Sequence, residues 1–174
     1  AKMSSKSSPS LQAWAMLAMV QLQQDQVDDV ESVVLPRMEK IAGTPDDYFI
    51  QITRAQTALK KGTKYQRVAR DAFLRASMLR PDIVGVKDMI LQLDIAMNDQ
   101  KNAELHARQV LRTNRKHALA NYVMGSLRLQ EGAYGEAEDF LRRSVESQPS
   151  AAALNDLAEV LRRIRKFDEA EKHA

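Results

Sequence analysis

The stretch from Ala118 to Pro149 shows the chain's hydrophobic pattern most plainly: apolar positions fall three and four apart, break once, and resume. Up to about Gln130 they include Met124 and Leu127 and lie on more than one face of a helix. Glu131-Gly132-Ala133 interrupts the run, because glycine tolerates the left-handed backbone that ends a helix. A second helix follows, with Tyr134, Ala137, Leu141, Ser144 and Val145 turned inward. Pro149 closes it, since proline cannot continue a helix. Gly125 and Ala137 stand mid-helix on the facing surfaces, where small side chains let two helices lie close. A pair this short cannot bury its apolar faces alone, so the pattern predicts neighbouring pairs of the same kind.

Those neighbours recur at a fixed interval. Ala69, Ala103, Ala137 and Ala170 are separated by 34, 34 and 33 residues, and Ala76, Val110 and Ser144 keep the same step one helical turn on. Pro81 and Pro149 lie 68 apart, with Arg115 midway. A period near 34 with helix–turn–helix content is the signature of a solenoid. On these residues the chain resembles the tetratricopeptide repeat (TPR) family. Trp14, Leu17 and Ala18 match its opening run; Gly125, Gly132, Tyr134, Ala137 and Pro149 match the fourth unit, and Leu154, Leu157, Ala158, Phe167 and Ala170 the last. Arg128 stands where the family has an aromatic and Val30 where it has a small residue. The resemblance covers residues 10–174 and implies an all-α fold, a right-handed superhelical solenoid of helix–turn–helix repeats.

Repeats are expected at about 10–43, 45–82, 84–117, 118–150 and 151–174, the last truncated, after a disordered tail of residues 1–9. In the first, Trp14, Leu17, Ala18 and Gln21 are expected to face the second helix, and Pro36 predicts a kink near Ser32–Pro36, because it removes a hydrogen bond and crowds the carbonyl four residues back. The second repeat is longer than the period by about one helical turn, and the excess is placed at Leu59–Gln66, where Lys60-Lys61-Gly62-Thr63-Lys64 reads as a solvated loop or a basic finger. Asn98-Asp99-Gln100 makes the third turn without glycine. A turn at Lys166 is expected to start the fifth repeat's second helix, and the stop at Ala174 within that helix is expected to leave an unmatched apolar edge at Leu154, Leu161 and Phe167. The abrupt start and end suggest a piece of a larger, bacterial multi-repeat protein.

Composition narrows the functions. Hydrophobic residues make up 44% and charged residues 28%, ordinary for a helical protein. No apolar run is long enough to span a membrane, and no secretory leader is readable in the tail. The absence of cysteine removes thiolate chemistry and cysteine-ligated zinc, and leaves cytoplasm and periplasm equally open. A net charge of +3 and a pI of 9.2 are weak evidence for nucleic acid.

The resemblance implies a concave groove lined by the first helix of each repeat. It carries over Met16, Met19 and Leu22 from the first, Met89, Gln92 and Ile95 from the third, and Leu119, Tyr122, Val123, Ser126 and Leu129 from the fourth. From the fifth it carries Asn155, Glu159 and Arg162, and in the irregular second repeat Ile50, Arg54 and Thr57 are the best choices. The cationic clamp with which some TPR proteins hold an acidic C-terminus is missing, because its places hold residues such as Ala15, Met19, Met89 and Asp156. An apolar, methionine-bearing groove suits an amphipathic helix or extended apolar peptide; alternatively these residues pack between repeats.

Catalysis finds little support. His106, His117 and His173 form no paired metal motif, and are read as solvated or capping residues. Asp28-Asp29-Val30-Glu31 and Asp46-Asp47 complement helix dipoles, with a hard cation as the alternative. No phosphate-cradling loop or nucleophile elbow appears. The reading is therefore a non-catalytic protein-interaction scaffold without cofactor, metal or small-molecule substrate. The alternatives are a structural spacer or a homodimer through the C-terminal edge. Nucleic-acid binding through basic residues including Arg108, Arg112, Arg115, Lys116, Arg142, Arg143, Arg162 and Arg163 ranks last, since they favour second helices and lack interleaved aromatics.

Overall fold

The computed structural model describes residues 10–172, with side chains as far as Arg165; the tail expected to be disordered lies outside the described residues. No strand occurs among them. The helices are α1 (Leu11–Gln23), α2 (27–42), α3 (Tyr48–Lys60), α4 (Gln66–Leu79), α5 (Val84–Ala96), α6 (Gln100–Thr113), α7 (Ala118–Gln130), α8 (Tyr134–Ser147) and α9 (Ala151–Lys172). Starts at Leu11, Tyr48, Val84, Ala118 and Ala151 mark the first helices, so the 34-residue beat holds from α5 onward and the two earlier intervals are longer.

Each of the first four pairs turns through one left-handed residue: Asp25 (φ 61°), Gly62 (φ 106°), Asn98 (φ 52°) and Gly132 (φ 78°). Such angles cost a residue with a Cβ unless, as with Asn and Asp, a short polar side chain eases them. In the fifth repeat Arg165 holds the corresponding place. The turn expected at Lys166 is absent, and α9 runs on to Lys172. Nothing in Arg162–Phe167 stops a helix, and Glu159 favours its continuation by pairing with Arg162 and Arg163 at 2.6 Å.

Helix α2 has three parts: Val27–Asp29, a π-helical turn Val30–Val34, and Leu35–Ala42. The Leu35 N–H donates to the Val30 carbonyl five residues back, directly before Pro36. Pro36 has no N–H to offer Ser32, and the widened turn accommodates that loss at the place where a kink is predicted. Gly43 (φ 69°) then ends the helix.

The chain forms two compact units, one reaching to Met89 and one beginning at Ile90, so the dividing line falls inside α5. The first unit is cored by Ala18, Leu22, Val30, Val34, Met38 and Ile50, with Trp14 and Phe49 against them. Helices α3 and α4 pack on one another, and both bury small residues: Ala55 and Ala58 on α3, and Ala69, Ala72 and Ala76 beside Phe73 on α4. Buried Thr53 and Thr57 donate to the carbonyls of Phe49 and Thr53 at 2.8 and 2.7 Å, so neither hydroxyl is left unmet. Leu17, expected to face the second helix, is 43% exposed, because Trp14, Ala18 and Leu22, four apart, carry the face of α1 that packs into the core.

In the second unit one cluster joins Leu91, Ala103, Ala107, Val110, Ala120, Val123 and Met124, and another joins Ala137, Leu141 and Val160. The 34-residue beat is now physical: Ala103, Val110, Ala137 and Ser144 are all buried. Ser144 also donates to the Ala118 carbonyl at 2.9 Å, fastening the end of α8 to the start of α7. His117 caps α7, its Nδ1 accepting from the Ala120 N–H at 3.3 Å. Arg128, standing where TPRs have an aromatic, places its guanidinium among Glu104, Glu131 and Glu136 of three different segments. Its hydrogen bonds to Glu131 and then Glu104 hold its pKa above the usual arginine value.

Candidate functional site

A small recess of about 90 Å³ opens in the second unit where the end of α5 meets α7; that is the share of roughly three waters in the liquid. The C-terminal end of α5 supplies Asp94 and Ile95, the left-handed turn supplies Asn98, and α7 supplies Tyr122, Val123, Ser126 and Gln130. Two spacings of four along α7 put Tyr122, Ser126 and Gln130 on one side. Gln100 donates to Gln130 at 2.8 Å across the mouth. At the base Asp94 is fully buried, and its carboxylate meets His106 Nδ1 at 2.6 Å. Ile95 is 44% exposed beside these polar groups.

Tyr122 is half-buried and hydrogen-bonded to Ser126. Burial pushes its phenol above the ordinary tyrosine value, the nearby Asp156 carboxylate of α9 adds to that, and the Ser126 bond opposes it. The phenol therefore stays neutral and available as a donor or acceptor at physiological pH.

In the first unit, Met19, Leu22 and Gln23 of α1 meet Gln56, Leu59 and Lys60 of α3 around a shallower hollow of about 330 Å³. The second repeat departs from the residues expected to line its groove. Ile50 and Thr57 are buried and Arg54 pairs with Glu39 at 2.5 Å, whereas Gln56, Leu59 and Lys60 reach the hollow. The register lay one residue out, because the longer connections before and after α3 obscure the beat that fixes it elsewhere.

The other carried-over residues divide by burial. Met16 is 58% and Met19 44% exposed on α1, and Gln92, Asn155 and Arg162 are exposed. Met89 is half-buried. Leu22 and Val123 are core residues that present only an edge, while Leu119 and Leu129 lie partly buried against the second unit's two clusters. Glu159 is neutralised by Arg162 and Arg163, which hold its pKa below the usual carboxylate value, Arg162 most strongly. Sequence reading missed Asp94, Asn98 and Gln100; the one signal available was Asn98-Asp99-Gln100 at a turn without glycine.

Among the described residues no three His, Cys, Asp or Glu side chains gather as a metal site, and no helix is long and apolar enough to cross a membrane. His173 lies outside them. The sequence matches no family model and no curated protein. Solved structures do match it. MamA superposes with a TM-score of 0.70 at 13% identity, over 93% of this chain and 86% of that one. A tetratricopeptide repeat protein from Parabacteroides merdae gives 0.62 at 16% identity, over 93% of this chain and 62% of the other. The fold is of the TPR type. A thermophilic TPR protein of Thermus thermophilus agrees, with a TM-score of 0.53 at 18% identity over 87% and 81% of the two chains. At these identities the likeness concerns the all-α repeat architecture, and the TPR side chains that face the recess are this chain's own.

Proposed function

We propose that the chain is a non-catalytic protein-interaction scaffold, holding an apolar peptide or amphipathic helix of a partner protein against the first-helix face. The observation that carries this is Ile95: a large aliphatic side chain, 44% exposed, lining a recess whose edge is formed by Ser126, Asn98 and the Gln100–Gln130 pair. An apolar centre with a hydrogen-bonding rim is the anatomy of a protein interface. The exposed methionines of α1 add adaptable apolar contact in the first unit.

The test is selection from a displayed peptide library, followed by titration of the consensus peptide. Apolar anchors spaced three or four apart are expected, with affinity falling about tenfold or more in Ile95→Asp while the melting transition stays in place. A consensus that binds Ile95→Asp as tightly as the parent contradicts the reading. So does a library yielding no apolar consensus.

A further inference from the structure

A hollow of about 980 Å³ in the second unit lies on the opposite side of α7, between the second helices α6 and α8. Its floor is apolar: Leu111, Met124 and Phe140. Around it stand six cationic side chains and two carboxylates. Arg108 and Arg128 are engaged by glutamates, Arg108 by Glu104 at 2.8 Å. Arg112, Arg115 and Lys116 are exposed, and Arg143 lies over the Phe140 ring at 5.6 Å. Outside the cleft, Arg142 pairs with Glu138, and Arg162 and Arg163 pair with Glu159. Arg112, Arg115, Lys116 and Arg143 thus bring four positive charges to one cleft.

A second observation concerns the floor itself. Asn121 is fully buried, lines the cleft, and donates through Nδ2 to the Arg115 and His117 carbonyls, both at 2.9 Å. Those two bonds fix the amide's orientation, since a flip would lose both. They leave Oδ1 buried without a donor. An acceptor in that position costs free energy until an N–H or O–H reaches it.

We infer that this cleft receives an acidic polypeptide segment carrying apolar side chains, its carboxylates among Arg112, Arg115, Lys116 and Arg143 and a backbone N–H toward Asn121 Oδ1. The features disfavour a nucleic-acid strand. The face of Phe140 on which a base would stack is already covered by Arg143, and a sugar–phosphate backbone has no apolar side chain for Leu111 and Met124. The site is distinct from the recess beside Ile95, and the inference stands independently of that reading.

Fluorescence anisotropy with a labelled synthetic peptide of repeated Glu-Glu-Leu tests it, against polyglutamate and a single-stranded oligonucleotide of equal charge. Saturable binding is expected for the mixed peptide and weaker binding for both controls. Combining Arg112→Glu, Lys116→Glu and Arg143→Glu should weaken it at least about tenfold with an unchanged circular-dichroism spectrum, while Ile95→Asp leaves it as it was. Should the triple variant lose structure, the single reversals at Arg112 and Arg143 carry the same reading. No saturable binding by the mixed peptide, equal binding by the charge-reversed chain, or an oligonucleotide or polyglutamate that binds as tightly each overturns the inference.

Discussion

At Gly125 a methyl group would sit 2.6 Å from Leu141 Cγ and 3.2 Å from the Leu141 backbone nitrogen. The backbone atom cannot rotate away, so Gly125→Ala must push α7 and α8 apart, and overpacking of this kind costs about 1–3 kcal/mol. Gly135, in the first turn of α8, has nothing within 4 Å of the same methyl position. Gly135→Ala should raise stability by about 0.4–1 kcal/mol, by restricting the unfolded chain. Denaturant midpoints should therefore move in opposite directions for the two substitutions. Gly125 was legible from sequence because a close approach leaves a small residue at a repeated position. The acceptor left over on Asn121 was not, because it depends on two carbonyls that the fold brings to its amide. Tyr122 offers a check by pH. Its folded pKa lies above the reference value of 10.0, so the folded state binds this proton more tightly. That stabilisation is fully present below pH 10.0 and is lost as pH rises through the folded pKa. Comparison of ultraviolet titrations of the parent and Tyr122→Phe should show one phenol ionising later than in the unfolded chain; coincident folded and unfolded curves would refute it.

The four left-handed turn residues are what divide the helices into pairs. Gly132→Val places a β-branched side chain at φ 78°, a conformation costing roughly 1–2 kcal/mol for a residue with a Cβ. It should lower the denaturant midpoint, whereas Gly132→Asn should recover much of the loss, as Asn98 does the same work at φ 52°. A valine variant as stable as the parent would show that the turn does not set the pairing. From the sequence, glycine marked two of these turns, and Asn98 was readable because its side chain suits the angle. The missing fifth turn was not foreseen, because Arg165 is an ordinary helix former where the beat led one to expect a break. Pro36 showed that α2 would be irregular, but a lost hydrogen bond can be met by a bend or by widening. The neighbouring residues, not the proline, choose the π-helical turn.

At the scale of the molecule, local sterics made the repeat architecture legible at sequence identities of 16–18% to solved TPR structures. A helix pair needs a small residue at its crossing, a turn-former at its bend, and apolar spacing between, and several side chains satisfy each demand. The candidate site was legible only in part. Ile95, Tyr122, Val123 and Ser126 were placed by register, whereas Gln56, Leu59 and Lys60 were displaced by the longer connections around α3. The partner-binding claim is tested most directly by photo-crosslinking, with a photoreactive residue at position 95 or, as a control, at the exposed Met78. The account predicts that the selected apolar peptide crosslinks efficiently from position 95 and not from position 78, and that unlabelled peptide suppresses the product. Equal yields from both positions, or none from position 95 under saturating peptide, would contradict it.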